Sequence, residues 1–271
     1  MKIALVALTL LCIAIAGYTV VQPVRSAEAS NQGETRTADA TQVAGFAVVE
    51  LFTSQGCSSC PPADRVLTDL QRQAREAGWP VYALSYHVDY WDRLGWTDPY
   101  ASRQATERQY AYAEAFRSNR VYTPQMIVNG HTQFVGSRES VAQRVVQNAL
   151  DEPQSFGIAI DSVERKNRHL TVNVALDHEP VESTTLVVAV VEPQRENRVA
   201  RGENRGRQLS HIAVVRTFKQ VPVTGRSQTV ELDLPADADD GSLEMVAFLQ
   251  DGAAGRIEAA TRNTLSDPVS R

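Results

Sequence analysis

Cysteine is scarce in this sequence, and its scarcity limits how the chain can be stabilised. Among the 271 residues there are three cysteines: Cys12 stands in an apolar N-terminal run, while Cys57 and Cys60 stand close together. A protein that is stabilised by disulfides has several cysteine pairs distributed over long loops, so the class of disulfide-rich proteins is excluded. A four-cysteine zinc site is excluded too, because one chain lacks the ligands for it. We therefore interpret Cys57 and Cys60 as a reactive pair.

Basic residues are not in excess, and no long basic run occurs. Lysine and arginine number 27 against 32 aspartates and glutamates, which gives a formal net charge of −5. Proteins that grip the nucleic acid backbone need a basic surface, so no nucleic-acid partner is expected. The sequence also has no internal repeat. With 43% hydrophobic and 22% charged residues it is typical of a globular protein, which excludes the disordered and fibrous classes.

The N-terminal segment has the pattern of an export signal. Residues 3–21 are nearly all apolar, and the small residues Ala27 and Ala29 follow. We predict a signal peptide or N-terminal anchor over residues 1–29 and a flexible polar lead over residues 30–43. The apolar run also suffices to span a bilayer, so membrane anchoring through residues 3–21 is the alternative to cleavage. Either way, we expect a periplasmic or secreted protein.

Residues 44–152 alternate between strand and helix patterns. In chain order we predict a strand over 46–52, a helix ended by Gly78, a strand over 81–88, a helix over 98–118, a hairpin around Asn129-Gly130 and a helix over 137–150. Asp98-Pro99 is expected to begin the second helix, and Ser137 to cap the third. The first two strands are close enough for a parallel β-α-β crossover. This order predicts an α/β domain.

Beyond residue 152 the pattern changes to strands. Residues 170–176 and 243–249 place apolar side chains at every second position, which favours antiparallel strands with one buried face. We predict a sandwich-like, antiparallel β-rich lobe over residues 153–271. Between its strands, residues 201–207 (RGENRGR) are charged and contain two glycines. We expect a solvated loop there, with a functional loop as the alternative.

The motif Cys57-Ser58-Ser59-Cys60 stands between the first predicted strand and the first predicted helix. Backbone N–H groups and the dipole at a helix N-terminus favour a thiolate, so Cys57 gains nucleophilic character there. Cys60 follows one helical turn later and can attack a mixed disulfide formed by Cys57. The pattern therefore assigns Cys57 as the nucleophile and Cys60 as the resolving thiol.

This order of elements, with Thr123-Pro124 just before the hairpin, resembles the thioredoxin superfamily. The resemblance implies a thioredoxin-like domain with a helical insertion over residues 44–152. It also implies that Pro124 is a cis-proline beside the cysteine pair and that Thr123 presents its backbone to an extended peptide substrate. Taken alone, the dipeptide has an ordinary interpretation as a trans proline that starts an edge strand, since only about 5% of X-Pro bonds are cis.

At closer range the sequence is similar to the family of exported bacterial proteins known as domain of unknown function 1223. The similarity lies in VVELFTSQGCSSCPPAD, ALSYHVDYWDRLGW, VYTPQMIVNG, RGENRGRQLSH and VAFLQDG, which extend over nearly the whole chain after the predicted signal. The family implies a thioredoxin-like fold with an elaborated C-terminal part, and its activity is not established. Ser58-Ser59 replaces the Gly-Pro of ordinary thioredoxins, so their redox potential does not carry over.

Polar residues near the cysteines are further candidates for the site. Glu50 interrupts the first apolar strand. If its carboxylate is buried, it could exchange protons with Cys60. The alternative is that the Glu50 carboxylate is partly exposed and paired with an arginine. His87 ends the second strand at the same sheet edge as the cysteines. It could complete a Cu(I) site, or it could be a structural histidine near Asp89. Asp64 is expected on the surface of the first helical turn.

Aromatic residues crowd the segment that follows the second strand: Tyr90, Trp91, Trp96 and Tyr100. We expect them to pack this insertion against the domain. A substrate groove lined by the same rings is the alternative.

These features predict a thiol–disulfide oxidoreductase of the cell envelope that exchanges disulfides through Cys57. Its partners would be cysteine-containing exported proteins or a redox partner protein, and the chemistry requires no cofactor. Two alternatives remain open. One is a Cu(I)-binding or metallochaperone-like protein that uses Cys57, Cys60 and His87. The other is a non-catalytic binding module whose two cysteines form an inert bond.

Overall fold

The structure, a computed structural model, describes residues 45–154, 156–179, 183–238 and 243–265. The predicted signal peptide and the flexible lead lie outside these residues. No helix within the described ranges combines the length and the apolar character needed to cross a bilayer.

The chain alternates between strands and helices at first and continues as strands alone. The first elements are β1 (Ala47–Thr53), α1 (Pro61–Ala77), β2 (Val81–His87), a 3₁₀ helix (Asp89–Leu94), α2 (Arg103–Ala115), β3 (Gln125–Val128), β4 (Thr132–Val135) and α3 (Glu139–Asp151). The strands that follow are β5 (Ile158–Lys166), β6 (His169–Leu176), β7 (Thr184–Arg198), β8 (Gln208–Pro222), β9 (Ser227–Asp233), β10 (Leu243–Asp251) and β11 (Ile257–Leu265).

Strand β2 is an interior strand of the larger of two sheets. Among the described residues, that sheet has eight strands in the order β11-β10-β7-β8-β2-β1-β3-β4, and the smaller sheet has the order β5-β6-β9. β1 pairs in parallel with β2, as the predicted crossover requires, and antiparallel with β3. On its other side β2 pairs in parallel with β8, where Ser85 faces Val214. Strands from both sides of residue 153 therefore share one sheet.

Helices cover both faces of the large sheet near β1, whose side chains alternate between the two faces. Val49 packs in an apolar cluster with residues of α1 and α3, such as Leu67 and Val146. Phe52 packs in another cluster with Tyr112 of α2. Further along the large sheet, apolar residues of β7 and β10 pack against the smaller sheet. The two sheets form a sandwich in that region.

The apolar spacing of α1 explains where it packs. Leu67, Leu70 and Ala74 are buried, which turns one helix face toward β1 and β2. Pro61 is tolerated in the first turn because the backbone N–H that it lacks would have no partner within the helix. Gly78 ends the helix in the left-handed conformation, at φ 68°, as its position in the sequence predicts.

The predicted start of the second helix at Asp98-Pro99 is wrong. Helix α2 begins at Arg103, because Ser102 is the residue whose hydroxyl accepts a hydrogen bond from the Ala105 N–H, at 3.0 Å. Asp98 instead closes a separate turn, in which its Oδ1 accepts a hydrogen bond from the Tyr100 N–H at 3.0 Å, while its Oδ2 binds His87 and the Gln55 N–H.

The predicted cap of the third helix is also wrong. Helix α3 begins at Glu139 with Arg138 at the N-cap position, so Ser137 lies one residue too early to cap it. The N-cap carries no side-chain hydrogen bond, and Glu139 instead places a negative charge in the first turn. A charge there is favourable beside the positive end of the helix dipole.

Candidate functional site

Cys57 and Cys60 form a disulfide in the turn between β1 and α1. Their Cα atoms are 5.4 Å apart, and Cys60 is the N-cap of α1. The Cys57 sulfur lies 3.3 Å from the Ser59 hydroxyl oxygen. The motif lies between a strand and a helix, as predicted, but the residue at the helix N-terminus is Cys60 rather than Cys57. Both cysteines are 0% exposed, so the disulfide is buried.

Trp91 joins the motif to the segment before the hairpin. The Thr123–Pro124 peptide bond is cis, which confirms the cis-proline implied at Pro124. The Trp91 Nε1 donates a hydrogen bond to the Thr123 Oγ1 at 2.7 Å. Gly56 lies against the same tryptophan, since a Cβ on Gly56 would come within 3.1 Å of the Trp91 Cβ. One tryptophan therefore contacts both Thr123 and the residue that precedes Cys57.

The loop that connects β7 to β8 lies over the motif, and we call residues 199–207 the covering loop. Within it, the side-chain amide of Asn204 donates hydrogen bonds to two carbonyl oxygens, that of Gln55 at 2.9 Å and that of Cys57 at 2.8 Å. Asn204 is 0% exposed although its neighbours in the loop are exposed. A single inserted side chain thus ties the loop to the first cysteine.

Glu203 binds the motif from the solvent side. Its carboxylate accepts a hydrogen bond from the Ser58 N–H at 2.9 Å. Hydrogen bonds from Ser58 lower the pKa of the Glu203 carboxyl, because they favour its charged form. The expectation of a solvated loop is therefore wrong for Asn204, whereas Glu203 is exposed as expected and in addition binds a backbone N–H of the motif.

Gln55 is a hydrogen-bonding centre beside the covering loop. Its side-chain oxygen accepts from the Trp96 Nε1 at 3.1 Å and from the Asn197 Nδ2 at 2.8 Å. Its backbone N–H donates to the Asp98 Oδ2 at 2.8 Å. Trp96 and Trp91 therefore pack the insertion onto the motif, which agrees with the first of the two interpretations of the aromatic residues.

Two buried histidines, His87 and His211, each face a buried carboxylate. The His87 Nδ1 and the Asp98 Oδ2 are 2.7 Å apart, and the His211 Nδ1 and the Asp64 Oδ2 are 3.6 Å apart. The two imidazole rings meet edge to face, with 4.6 Å between their centroids. Among the described residues, the His87 Nε2 and both ring nitrogens of His211 have no hydrogen-bond partner. The cluster is thus buried, and the hydrogen-bonding capacity of its imidazoles is only partly satisfied within the described residues.

Two residues of this cluster differ from their predicted positions. Asp64, expected on the surface, is only 6% exposed, because it faces His211 and accepts a hydrogen bond from the Thr53 hydroxyl at 3.0 Å. The partner of His87 is Asp98, which follows the insertion, and not the neighbouring Asp89.

The charges in the cluster shift two pKa values. Burial opposes a charge on His211, but the carboxylates of Asp64 and Asp98 outweigh it, so the pKa of His211 is raised. Burial also opposes the charge on Asp98, but His87 and two backbone N–H groups outweigh it, so the pKa of Asp98 is lowered. The carboxylates of Asp64 and Asp98 thus favour a proton on His211.

The residues considered for a Cu(I) site are not assembled into one. In the part of the chain that the structure describes, no group of three or more His, Cys, Asp or Glu side chains could hold a metal ion. Cys57 and Cys60 are bonded to each other, and the His87 Nδ1 faces Asp98. The metal alternative therefore receives no support from the geometry.

Glu50 lies in a separate buried cluster with residues of α2. Its carboxylate accepts hydrogen bonds from the Arg108 Nε, at 2.6 Å, and from the Tyr112 hydroxyl. Arg108 also donates to the Gln250 Oε1 at 3.1 Å, and all four side chains are buried. Glu50 is thus paired with an arginine, but it is buried rather than partly exposed. Proton exchange between Glu50 and Cys60 stays a prediction.

Three residues of the site and of the neighbouring Glu50 cluster come from distant parts of the chain and were not predicted from the sequence: Arg108, Asn204 and His211. Weak signals for them exist. Arg108 stands four residues before Tyr112, a spacing that places both on one face of a helix. His211 follows the charged loop directly, inside a segment that resembles the family.

Comparisons with known proteins give a family and a structural relative. The model of a family described as "Protein of unknown function (DUF1223)" matches residues 48–250. A crystal structure of a protein from Agrobacterium tumefaciens is 32% identical, with a TM-score of 0.58, over 82% of this chain and 95% of that one. A β-glucosidase from Kluyveromyces marxianus in complex with glucose is 14% identical over 43% of this chain and 14% of that one; its TM-score of 0.21 carries no argument. Among curated proteins, none matches this chain.

Proposed function

The chain belongs to the DUF1223 family, and we propose that it is a thiol–disulfide oxidoreductase on a thioredoxin-like scaffold. The predicted signal peptide would deliver it to the cell envelope, to the periplasm or beyond. Its partners are cysteine-containing exported proteins or a redox partner protein, and the exchange uses no cofactor. The observation that carries the proposal is the Cys57–Cys60 disulfide at the start of α1.

The proposed exchange makes and breaks two sulfur–sulfur bonds in turn. In the dithiol form, the Cys57 thiolate attacks a substrate disulfide, so that a mixed disulfide forms and one substrate sulfur leaves as a thiolate. The Cys60 thiolate then attacks the Cys57 sulfur, which closes the Cys57–Cys60 bond and releases the second substrate sulfur. Two electrons pass to the substrate, and two protons neutralise its thiolates. The reverse sequence oxidises a dithiol substrate.

The surroundings of the motif support a peptide-binding role for Thr123. This residue precedes the cis-proline Pro124, and Trp91 fixes its side chain through a hydrogen bond. Because Trp91 also lies against Gly56, Thr123 is held near the cysteine turn. A substrate segment bound along Thr123 would therefore carry its own sulfur toward Cys57.

The buried Asp64–His211 pair supports the proton chemistry. Asp64 lies one helical turn beyond Cys60, and its N–H donates to the Cys60 carbonyl at 3.1 Å. A thiolate that forms or leaves in this interior needs a proton donor nearby, and a histidine with a raised pKa can serve as one near neutral pH. Glu50 is less suited to that role, since Arg108 and Tyr112 already bind its carboxylate.

A second candidate function, the non-catalytic binding module, is favoured by one observation. Both sulfur-bearing residues are 0% exposed, which is typical of structural rather than reactive cysteines. The two functions differ in a simple way, because an inert bond forms no covalent bond with partner proteins.

Trapping of partners separates these functions. With Cys60→Ala, Cys57 can still attack a disulfide, but no thiol remains to resolve the mixed disulfide. Cell-envelope extracts incubated with this variant should give covalent adducts on non-reducing gels that disappear on reduction. The double variant Cys57→Ala/Cys60→Ala is the control and should give none. Absence of any Cys57-dependent adduct would assign the chain to the binding modules.

A further inference from the structure

The covering loop binds the turn that carries the disulfide through few hydrogen bonds. Residues 201–203 and 205–207 are exposed, while Asn204 alone among them is buried. Asn204 and Glu203 together make three hydrogen bonds to the motif, to the carbonyls of Gln55 and Cys57 and to the Ser58 N–H. Residues 201–203 and 205–207 thus lie in solvent, and besides these hydrogen bonds the loop is held by the buried side chain of Val199 and by the close approach of Gly202 to Trp96.

The loop also has an internal structure of its own. The Val199 N–H donates to the Arg207 carbonyl at 3.0 Å, and the Gly206 N–H donates back to the Val199 carbonyl at 2.8 Å. The Arg207 guanidinium holds the Asn204 side-chain oxygen at 2.7 Å. These bonds lie within the loop, so they persist when it leaves the motif. The loop can therefore move as one body at the end of the β7–β8 ribbon.

We propose that the covering loop is a lid over the Cys57–Cys60 disulfide, closed by Asn204 and Glu203 and displaced by an extended peptide segment of the partner. The inference rests on the proposed function for its partner. The groups that the lid occupies are backbone groups, two carbonyl acceptors and one N–H donor. An extended peptide presents the matching donors and acceptors along its own backbone, as an added strand does at a sheet edge. Binding of the partner thus replaces the bonds of the lid.

Such a lid limits the reaction to molecules that can displace it. A small thiol reagent has no backbone to offer, so it must wait for the loop to open spontaneously. The rate at which the reagent reduces the disulfide is then proportional to the population of the open form, provided that the loop opens and closes faster than the reagent reacts. A variant with a weakened lid should therefore have its Cys57–Cys60 disulfide reduced much faster by the small reagent.

The test is the rate at which dithiothreitol reduces the Cys57–Cys60 disulfide in the full-length protein. A reagent thiolate attacks one sulfur and breaks the protein disulfide; the second reagent thiol then closes the reagent ring and leaves both cysteines as thiols. Samples quenched with an alkylating agent give the reduced fraction by mass. We expect Asn204→Ala to raise the rate about tenfold and Glu203→Ala about threefold, because the first change removes two hydrogen bonds to the cysteine turn and the second removes one.

Arg205→Gln is the matched control, because Arg205 is exposed in the same loop and keeps its backbone bond to Gly202. Its rate should stay within about twofold of the wild type. Asn204 is buried, so a thermal unfolding curve accompanies that variant. Glu203 is exposed, and its variant tests the lid without risk to the fold. Wild-type rates in both variants would overturn the proposal.

Failure of the lid and failure of the proposed function are distinguishable. Faster reduction of the variants by dithiothreitol, without any exchange with a disulfide-bonded model protein, would support the lid and reject the oxidoreductase. Exchange with the model protein, together with equal dithiothreitol rates in all variants, would support the oxidoreductase and reject the lid.

Discussion

The imidazoles of His87 and His211 meet edge to face inside the protein, with their ring planes at 83°. They come from β2 and β8, two strands that pair in parallel although they lie far apart in the sequence. Each ring has its own carboxylate, Asp98 for His87 and Asp64 for His211. The protonation of His211 therefore bears on how β2, β8 and α1 hold together.

Replacing His211 with Gln should remove a pH-dependent part of the stability. Because the folded-state pKa of His211 is raised, its proton stabilises the fold fully below the unfolded-state pKa of about 6.5. That contribution is lost as the pH rises through the raised folded-state pKa. The gap in unfolding free energy between wild type and His211→Gln should thus shrink with rising pH in denaturation series. His169→Gln, at a half-exposed histidine, is the control. A gap that stays constant with pH would contradict the prediction.

Replacing Arg108 with Met should destabilise the fold strongly. It leaves the buried Glu50 carboxylate without its cation, which costs about 3 to 5 kcal/mol in comparable cases. Arg103→Met removes an exposed pair with Glu107 on the same helix and should cost less than about 1 kcal/mol. Urea denaturation of both variants measures the difference.

The double variant Glu50→Leu/Arg108→Met should recover much of the stability that Arg108→Met loses. The reason is that the unpaired buried charge disappears together with its partner. If the double variant were no more stable than Arg108→Met, the hydrogen bonds to Tyr112 and Gln250 would carry the energy instead of the ion pair.

The corrected helix starts can be tested with two serines. Ser102→Ala removes the cap of α2 and should cost about 0.5 to 2 kcal/mol of unfolding free energy. Ser137→Ala, at the residue first expected to cap α3, should stay within about 0.5 kcal/mol of wild type. Equal costs for the two changes would argue against the helix boundaries described above.

Reduction of the disulfide should lower the stability only a little. The bond joins residues three positions apart. Closing so short a ring restricts the unfolded chain only slightly, and this contributes about 2 kcal/mol at most to the free energy of unfolding. Guanidinium denaturation with and without a reductant measures the change. A decrease in the free energy of unfolding well beyond this amount would indicate a structural disulfide and count against a redox role for Cys57 and Cys60.

Local signals predicted the elements around the motif well. Asn129-Gly130 predicts a hairpin, and β3 and β4 pair around it with both residues at positive φ, 46° and 72°. Gly78 ends α1 where the sequence places it. These signals succeed because the backbone conformation that they require depends on few neighbours.

The rest of the site depends on contacts between distant segments. Asp98 looks like a helix cap in sequence, but in the fold it binds His87 and the Gln55 N–H. Asn204 stands in a polar loop, yet its amide is needed at two carbonyls of the motif. The local sequence around such a residue is the same whether it faces solvent, caps a helix or binds a distant group. Only the folded chain therefore shows which partner it binds.

The pairing of β2 with β8 has a consequence for the growing chain. When β2 leaves the ribosome, β1 can pair with one of its edges, but the other edge waits for a strand that is made much later. An unpaired strand edge is a template for other chains, so this interval favours aggregation. His211 and the covering loop arrive with the same late segment. The second edge of β2 therefore stays open to other chains until β8 has been synthesised.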